Sequence, residues 1–147
     1  MRTFKFVVIN FILVFALTIC MSISKVEAQQ TYLGEFCWQT LDDVGAPATF
    51  YKFGVYANEG GHFVLYGTDS LTDAAHGNAE IVGSEVKLTI VISGRNGSGG
   101  GFSEIFNASL DISTLSGTWR SVGEDYDGSN NRVEFIERGT ITRITCP

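Results

Sequence analysis

The chain is short of proline, cysteine and basic residues. Its 147 residues include two Pro, three Cys and ten Lys or Arg, against sixteen Asp or Glu. The basic residues stand singly, whereas a protein that binds nucleic acid carries a basic patch or stripe. The same acidic balance opposes binding to an anionic membrane surface. We therefore expect neither nucleic acid nor a membrane surface as the partner.

Long apolar runs are also absent, apart from one at the N-terminus. Arg2 and Lys5 precede an apolar run over residues 6–20, which a polar stretch follows up to Ala28. This order of charged, apolar and polar segments predicts a signal peptide over residues 1–28. The run is shorter than the roughly 20 residues that a spanning helix needs, so no transmembrane anchor is expected after cleavage.

Cleavage after Ala28 leaves residues 29–147 as a single domain, secreted or periplasmic. Lipidation at Cys20 is the alternative, and it is disfavoured by the bulky Ile19 before the cysteine. The mature chain has seven basic and fifteen acidic residues, a net charge of −8. Its length supports one core of modest size.

The mature chain keeps two cysteines, Cys37 and Cys146, one near each end. An even pair in an exported protein predicts a disulfide. The CxxC spacing of a metal site or a redox dithiol is missing, so those alternatives are weak.

Helix-forming runs of Ala, Leu, Glu and Lys are missing as well, while 17 Gly separate short runs of β-branched and aromatic residues. Alternating patterns of this kind predict strands. Eight are expected, over residues 33–40, 48–57, 62–68, 76–82, 85–92, 102–110, 114–121 and 132–145. The links are too short to require a crossover, which favours an eight-stranded antiparallel up-and-down β-barrel, with a β-sandwich as the alternative.

Closure of such a barrel would bring the first and last strands together, because eight is an even number. The predicted disulfide then joins the two strands at this seam and protects edges that would otherwise be open. The apolar alternation of the last strand is interrupted at Glu137-Arg138-Gly139. We expect a bulge there, or a ninth strand after a tight turn.

One parity of the strands carries the apolar side chains that should face the interior. An eight-stranded barrel either fills with these side chains or holds one small ligand, and the sequence leaves both open. The aromatic residues of the set are the candidate ligand contacts: Trp119, Phe53, Phe63, Phe106 and Trp38.

Up-and-down order sends the four longer links to one end, which makes that end the expected ligand-binding mouth. These links are residues 41–47, 69–75, 93–101 and 122–131. The mouth is acidic, with Asp42, Asp43, Asp69, Asp73, Glu124, Asp125 and Asp127 against Arg95. Solvated polar loops would explain the same composition.

Within the last of these links, Asp125, Asp127 and Asn130 supply closely spaced oxygen atoms, which is a weak signal for Ca²⁺. No other cofactor is indicated. His76, paired with Asp73 or Asp69, could act as a general base, but no nucleophile is identifiable. An enzyme is therefore the less favoured class, and no catalytic residue is assigned.

The segment Leu115-Ser116-Gly117-Thr118-Trp119 resembles the L-x-G-x-W strand of avidin-like and lipocalin-like barrels, the calycin group. Together with the eight-strand plan, this resemblance implies a barrel that binds a small apolar or amphiphilic molecule in its interior, with Trp119 in the wall. In those families the element lies in the first strand, whereas here it falls in the seventh.

The sequence also supports a different class, a structural or interaction module with a filled interior. The opposite strand parity carries more apolar side chains than a solvated wall needs, namely Phe50, Tyr56, Val64, Tyr66 and Val91. Such a face would bind a protein partner or a second copy of the chain.

Overall fold

A computed structural model describes residues 30–96, 99–127, 129 and 131–147. The predicted signal peptide lies outside these residues. Within them, no helix has the length and apolar character needed to cross a membrane.

The chain folds into a closed antiparallel β-barrel in which every strand pairs with its neighbours in sequence, and the last pairs with the first. This confirms the up-and-down barrel and excludes the β-sandwich. The strands β1 to β8 are Thr31–Asp42, Pro47–Ala57, His62–Asp69, Ala74–Val82, Glu85–Arg95, Gly101–Asp111, Gly117–Tyr126 and Arg132–Ile144.

The links between strands divide between the two ends of the barrel. The links β2–β3, β4–β5 and β6–β7 lie at one end, together with the start of β1 and the end of β8, and we call this the short-turn end. The other four links lie at the opposite end, which we call the long-loop end. The predicted division of the links between the two ends is confirmed, but the expected difference in length was wrong. The strands extend further into the links than expected, which leaves four or five residues in each link at the long-loop end and four, two and five at the short-turn end.

The seam between β1 and β8 runs over six residue pairs, from Cys37 opposite Ile144 to Asp42 opposite Gly139. Gly139 allows the strands to meet, because a Cβ atom at this position would lie 1.9 Å from the carbonyl oxygen of Leu41. Cys37 forms the predicted disulfide with Cys146, just beyond β8, with a Cα separation of 5.2 Å.

The expected bulge or turn in the last strand was wrong. β8 keeps an unbroken register with β7 from Arg132 to Ile141 and with β1 from Gly139 to Ile144, and the register shifts of β1 lie in its pairing with β2 instead. The apolar alternation breaks because Glu137 and Gly139 occupy inner-face positions between Phe135 and Ile141, so the polarity changes while the strand geometry continues.

The inner face carries the apolar parity that the sequence predicts. Phe53, Phe106 and Ile90 are almost completely buried, and Leu65, Leu88, Leu110 and Trp119 join them in one core cluster. Burial of apolar surface stabilises a folded protein by about 25 cal/mol per Å² removed from water. This cluster therefore supplies the main favourable free energy of folding.

Candidate functional site

An apolar cavity of about 200 Å³ opens at the short-turn end of the barrel. Six strands and the β6–β7 turn contribute to its wall, and every side chain in that wall is apolar. The aromatic part consists of Phe36, Trp38 and Phe63, and aliphatic side chains such as Leu88 and Leu110 complete it. The cavity therefore offers burial to an apolar ligand but no hydrogen bond from a side chain.

Two local features explain the space and its polarity. Ala79 and Val86 face the cavity where larger side chains would fill it. Trp38 has the only polar side-chain atom in the wall, and its Nε1 donates a 2.9 Å hydrogen bond to the carbonyl oxygen of Leu115. Because this bond satisfies the indole N–H within the protein, the Trp38 ring presents only apolar surface to the cavity.

The mouth of the cavity is surrounded by exposed aliphatic side chains. Leu33, Ile81 and Ile112 belong to the cavity wall and are 48%, 45% and 43% exposed. Val82 continues this rim onto the β4–β5 turn and is half exposed. Apolar groups left in water around an opening are typical of a surface that is covered by a ligand or a partner.

The predicted ligand contacts divide into two groups. Trp38 and Phe63 line the cavity, as the hypothesis of an interior site requires. Phe53, Phe106 and Trp119 are buried in the core and are not among the residues of the cavity wall.

Sequence reasoning did not select Leu33, Phe36, Ile81, Ile112 or Leu115. Their signal was their position at the ends of strands that border the short turns.

A cluster of aromatic rings fills the middle of the barrel. The ring of Phe106 stacks on Trp119 at a centroid distance of 5.2 Å and meets Tyr51 edge-on at 5.3 Å. Tyr51 also stacks on Phe53, which in turn contacts Trp38 in the cavity wall. We call Tyr51, Phe53, Phe106 and Trp119 the aromatic plug. The apolar cavity thus lies at the short-turn end, whereas the ligand-binding mouth was expected at the long-loop end.

The long-loop end uses its Asp and Asn side chains to build turns. Asp42, Asp69 and Asp127 each stand at the end of a strand, and one oxygen of each carboxylate accepts hydrogen bonds from the backbone N–H groups two and four residues later. Asn96 accepts from the N–H of Gly100 in the same way. Such bonds are the usual reason for Asp and Asn in turns. They account for a large part of the acidic composition.

The predicted Ca²⁺ ligands are engaged in this network. Asp125 accepts a hydrogen bond from the side-chain amide of Asn96, and the second oxygen of Asp127 accepts one from Asn131 at 2.7 Å. Asn130 lies outside the described residues. Within the part of the chain that the structure describes, no group of three or more His, Cys, Asp or Glu could hold a metal ion.

Polar side chains occupy the barrel interior between the aromatic plug and the long loops. Glu104 follows the inner-face parity of Phe106, and the β7–β8 register places Ser121 opposite Glu137. Burial raises the pKa of the Glu104 carboxyl, and the charges of Glu137 and Asp69 raise it further. The neighbouring Ser121 hydroxyl lowers this pKa in part, although it does not reach hydrogen-bond geometry with the carboxylate.

The hydroxyl of Tyr51 faces the same polar layer. Burial raises its pKa strongly, and the negative charges of Glu104, Asp69 and Glu137 add to the effect. Tyr51 therefore stays protonated and neutral throughout the physiological range, with its ring in the plug and its hydroxyl toward the carboxylates.

The two histidines do not join this layer. His76 is exposed between Tyr66 and Val91 on the neighbouring strands, and His62 lies 3.9 Å from Glu80 on the barrel exterior. The carboxylate of Asp69 is engaged by its own loop. The structure thus does not bring the candidate base to a recognisable nucleophile in the described residues.

The chain was compared with protein families, curated proteins and solved structures. No family model, no curated protein and no solved structure matches the chain.

Proposed function

We propose that the protein binds a small apolar molecule, or the apolar part of an amphiphile, in the cavity at the short-turn end. The observation that carries the proposal is a cavity with an entirely apolar wall and a ring of exposed aliphatic side chains at its mouth. Transfer of apolar surface from water into such a space is favourable without any specific polar contact. Binding, and no chemical reaction, is the role that this wall supports.

The cavity volume limits the ligand. A buried apolar cavity of about 150 Å³ remains dry and accepts a benzene ring. With about 200 Å³, the present cavity suits a substituted aromatic ring or a short alkyl chain. The head group of an amphiphile would remain at the rim, because the wall offers no polar partner.

The resemblance to calycins supports this proposal at the level of fold. Trp119 of the Leu115–Trp119 segment lies in the aromatic plug, so it supports the floor of the site and does not line it. We propose on this basis that the barrel is calycin-like.

Filling the cavity tests the function. We expect toluene to raise the melting temperature of the native protein by mass action and to change the fluorescence of Trp38, which lines the cavity. Ala79→Leu places three additional carbon atoms in the cavity and should abolish the response to toluene. Ala48→Leu is the matched control, because Ala48 is exposed at the long-loop end. Equal responses of the two variants would contradict the proposal.

A second candidate function is self-association through the outer wall. Val91, Ile105, Val122 and Ile136 are direct neighbours across β5 to β8, and all four are exposed. A row without a charged side chain can meet a copy of itself around a two-fold axis. Sedimentation of the native protein should then show a dimer, and Ile105→Glu should give a monomer. A native monomer at high concentration would reject this function.

We also propose that the protein is exported. The disulfide between Cys37 and Cys146 is consistent with an oxidising compartment. The intact mass of the mature protein should correspond to residues 29–147 with a deficit of two hydrogen atoms. Retention of residues 1–28, or two free thiols, would contradict export with disulfide formation.

A further inference from the structure

The polar layer above the aromatic plug is an unusual interior for a barrel of this size. Glu104, Ser121 and Glu137 lie on three adjacent strands and share the inner face, and Asp69 adds its charge from β3. In the described part of the chain, neither Glu104 nor Glu137 forms an ion pair with Lys or Arg. Glu104 is partly buried, and a carboxylate in such a position normally has a cationic partner.

Ser121 gives an independent indication that a polar partner is missing from the layer. The residue is fully buried, and its Oγ has no hydrogen-bond partner among the described residues. A buried hydroxyl without a partner costs about 1–3 kcal/mol. The β6–β7 and β7–β8 registers place this hydroxyl between Phe106 and Glu137, so it is directed into the layer.

We propose that the long-loop end holds a second binding site, which accepts the primary ammonium group of a small organic cation between Glu104, Glu137 and Ser121. The site is distinct from the apolar cavity, because the aromatic plug separates the two. It is also independent of the proposed function, since it takes a ligand of opposite chemistry at the opposite end of the barrel.

The number and type of acceptors select a primary ammonium group. Such a group has three N–H donors, and the site offers two carboxylates and one hydroxyl oxygen. Bonds to charged acceptors are the stronger class of hydrogen bond, and one N–H would satisfy the buried Ser121 hydroxyl. A quaternary ammonium has no N–H donor and leaves that hydroxyl without a partner.

The aromatic plug lies next to the proposed site. Phe106 is the cross-strand neighbour of Ser121, and its ring contacts that of Tyr51. A cation near the face of an aromatic ring gains an additional electrostatic attraction. Glu137 is exposed, so the polar layer reaches the solvent through this side chain.

Calorimetric titration with 2-phenylethylammonium tests the proposal. We expect saturable binding to the native protein, with 2-phenylethanol and the N,N,N-trimethyl derivative binding at least tenfold more weakly. Glu104→Gln preserves the size of the side chain and should weaken binding of the primary amine at least tenfold. Glu134→Gln is the matched control, because Glu134 lies on β8 but is exposed and paired with Arg132; its affinity should remain within twofold of the native value.

The proposal would be overturned by the absence of saturable binding at millimolar amine, by equal affinity for the neutral alcohol or the trimethyl derivative, or by unchanged affinity in folded Glu104→Gln. Thermal unfolding establishes that each variant is folded. Ala79→Leu separates the two sites, because filling the cavity should remove binding of toluene while binding of the amine persists. Loss of amine binding in Ala79→Leu would place the amine in the apolar cavity and also overturn the proposal.

Discussion

Replacement of Trp119 should separate the two ways in which this residue stabilises the barrel. Its ring is 6% exposed and stacks on Phe106. Its Nε1 donates hydrogen bonds of 3.0 Å to the carbonyl oxygens of Leu41 and Thr140, which are opposite each other across the β1–β8 seam. One side chain on β7 therefore contributes to the core and also ties together the strands that close the barrel.

Trp119→Ala removes both contributions. Large-to-small substitution of a buried Trp costs about 3–5 kcal/mol, a large fraction of the roughly 5–15 kcal/mol that stabilises a typical domain. Trp119→Phe keeps an aromatic ring beside Phe106 but removes the N–H donor to the two carbonyl oxygens. The two carbonyl oxygens share this single N–H, which is worth about 1 kcal/mol, and the smaller Phe ring leaves some space in the core. We therefore expect the Phe variant to lose roughly 1–2 kcal/mol and the Ala variant clearly more.

Urea denaturation followed by far-UV circular dichroism measures both losses without depending on tryptophan fluorescence. Equal losses for Trp119→Phe and Trp119→Ala would mean that the packing of the ring contributes nothing beyond its hydrogen bonds. A loss below about 1 kcal/mol for Trp119→Ala would refute the assignment of Trp119 to a well-packed core.

Further predictions concern the loops, the seam and the polar layer. Hydrogen bonds from Asn131 and Ser129 lower the pKa of Asp127. The ionised carboxylate therefore stabilises the fold above the unfolded-state pKa, and this contribution is lost as the pH falls through the folded-state pKa. Denaturation at pH 5 to 2 should show a smaller acid-induced loss of folding stability for Asp127→Asn than for the native protein. Gly139→Ala should strongly lower the melting temperature, because its Cβ would collide with the backbone of β1, whereas the control Gly101→Ala meets only an ordinary contact at 3.7 Å; equal effects would reject the close approach at the seam. Because the pKa of Glu104 is raised, the folded state binds the carboxyl proton more tightly than the unfolded state does. Folding stability therefore falls as the pH rises from the unfolded-state pKa to the folded-state pKa. Glu104→Gln should raise the melting temperature more at pH 8 than at pH 4.

The fold could be predicted because its signals are local. Alternation with a period of two assigns each side chain to a face, so Phe53, Leu88 and Phe106 were correctly placed inside. The disulfide followed because only Cys37 and Cys146 remain after the predicted cleavage. Short links then restricted the topology.

The end at which the cavity opens depends on the stagger between strands, which alternation does not encode. Trp119 is the third residue of β7, whereas Leu41 is near the end of β1, yet the barrel register brings them into hydrogen-bonding contact. Loop length therefore did not indicate the end of the barrel at which the cavity opens. The position of each inner side chain along the barrel axis decides where large rings meet, and this position follows from the tilt and stagger of the strands.

The change of polarity along β6 shows how one strand can serve two different sites. Leu110 lies in the cavity wall, Phe106 belongs to the plug, and Glu104 lies in the polar layer, all on the inner face. Because successive inner positions are two residues apart, the seven residues from Glu104 to Leu110 span the three environments. The same change in β8 places Glu137 above Ile141, so the interruption in the apolar pattern of that strand marks the boundary between the two interiors and has no effect on pairing. A polar residue at an inner-face position of a barrel strand is therefore better interpreted as a change of chemical environment than as a break in the strand.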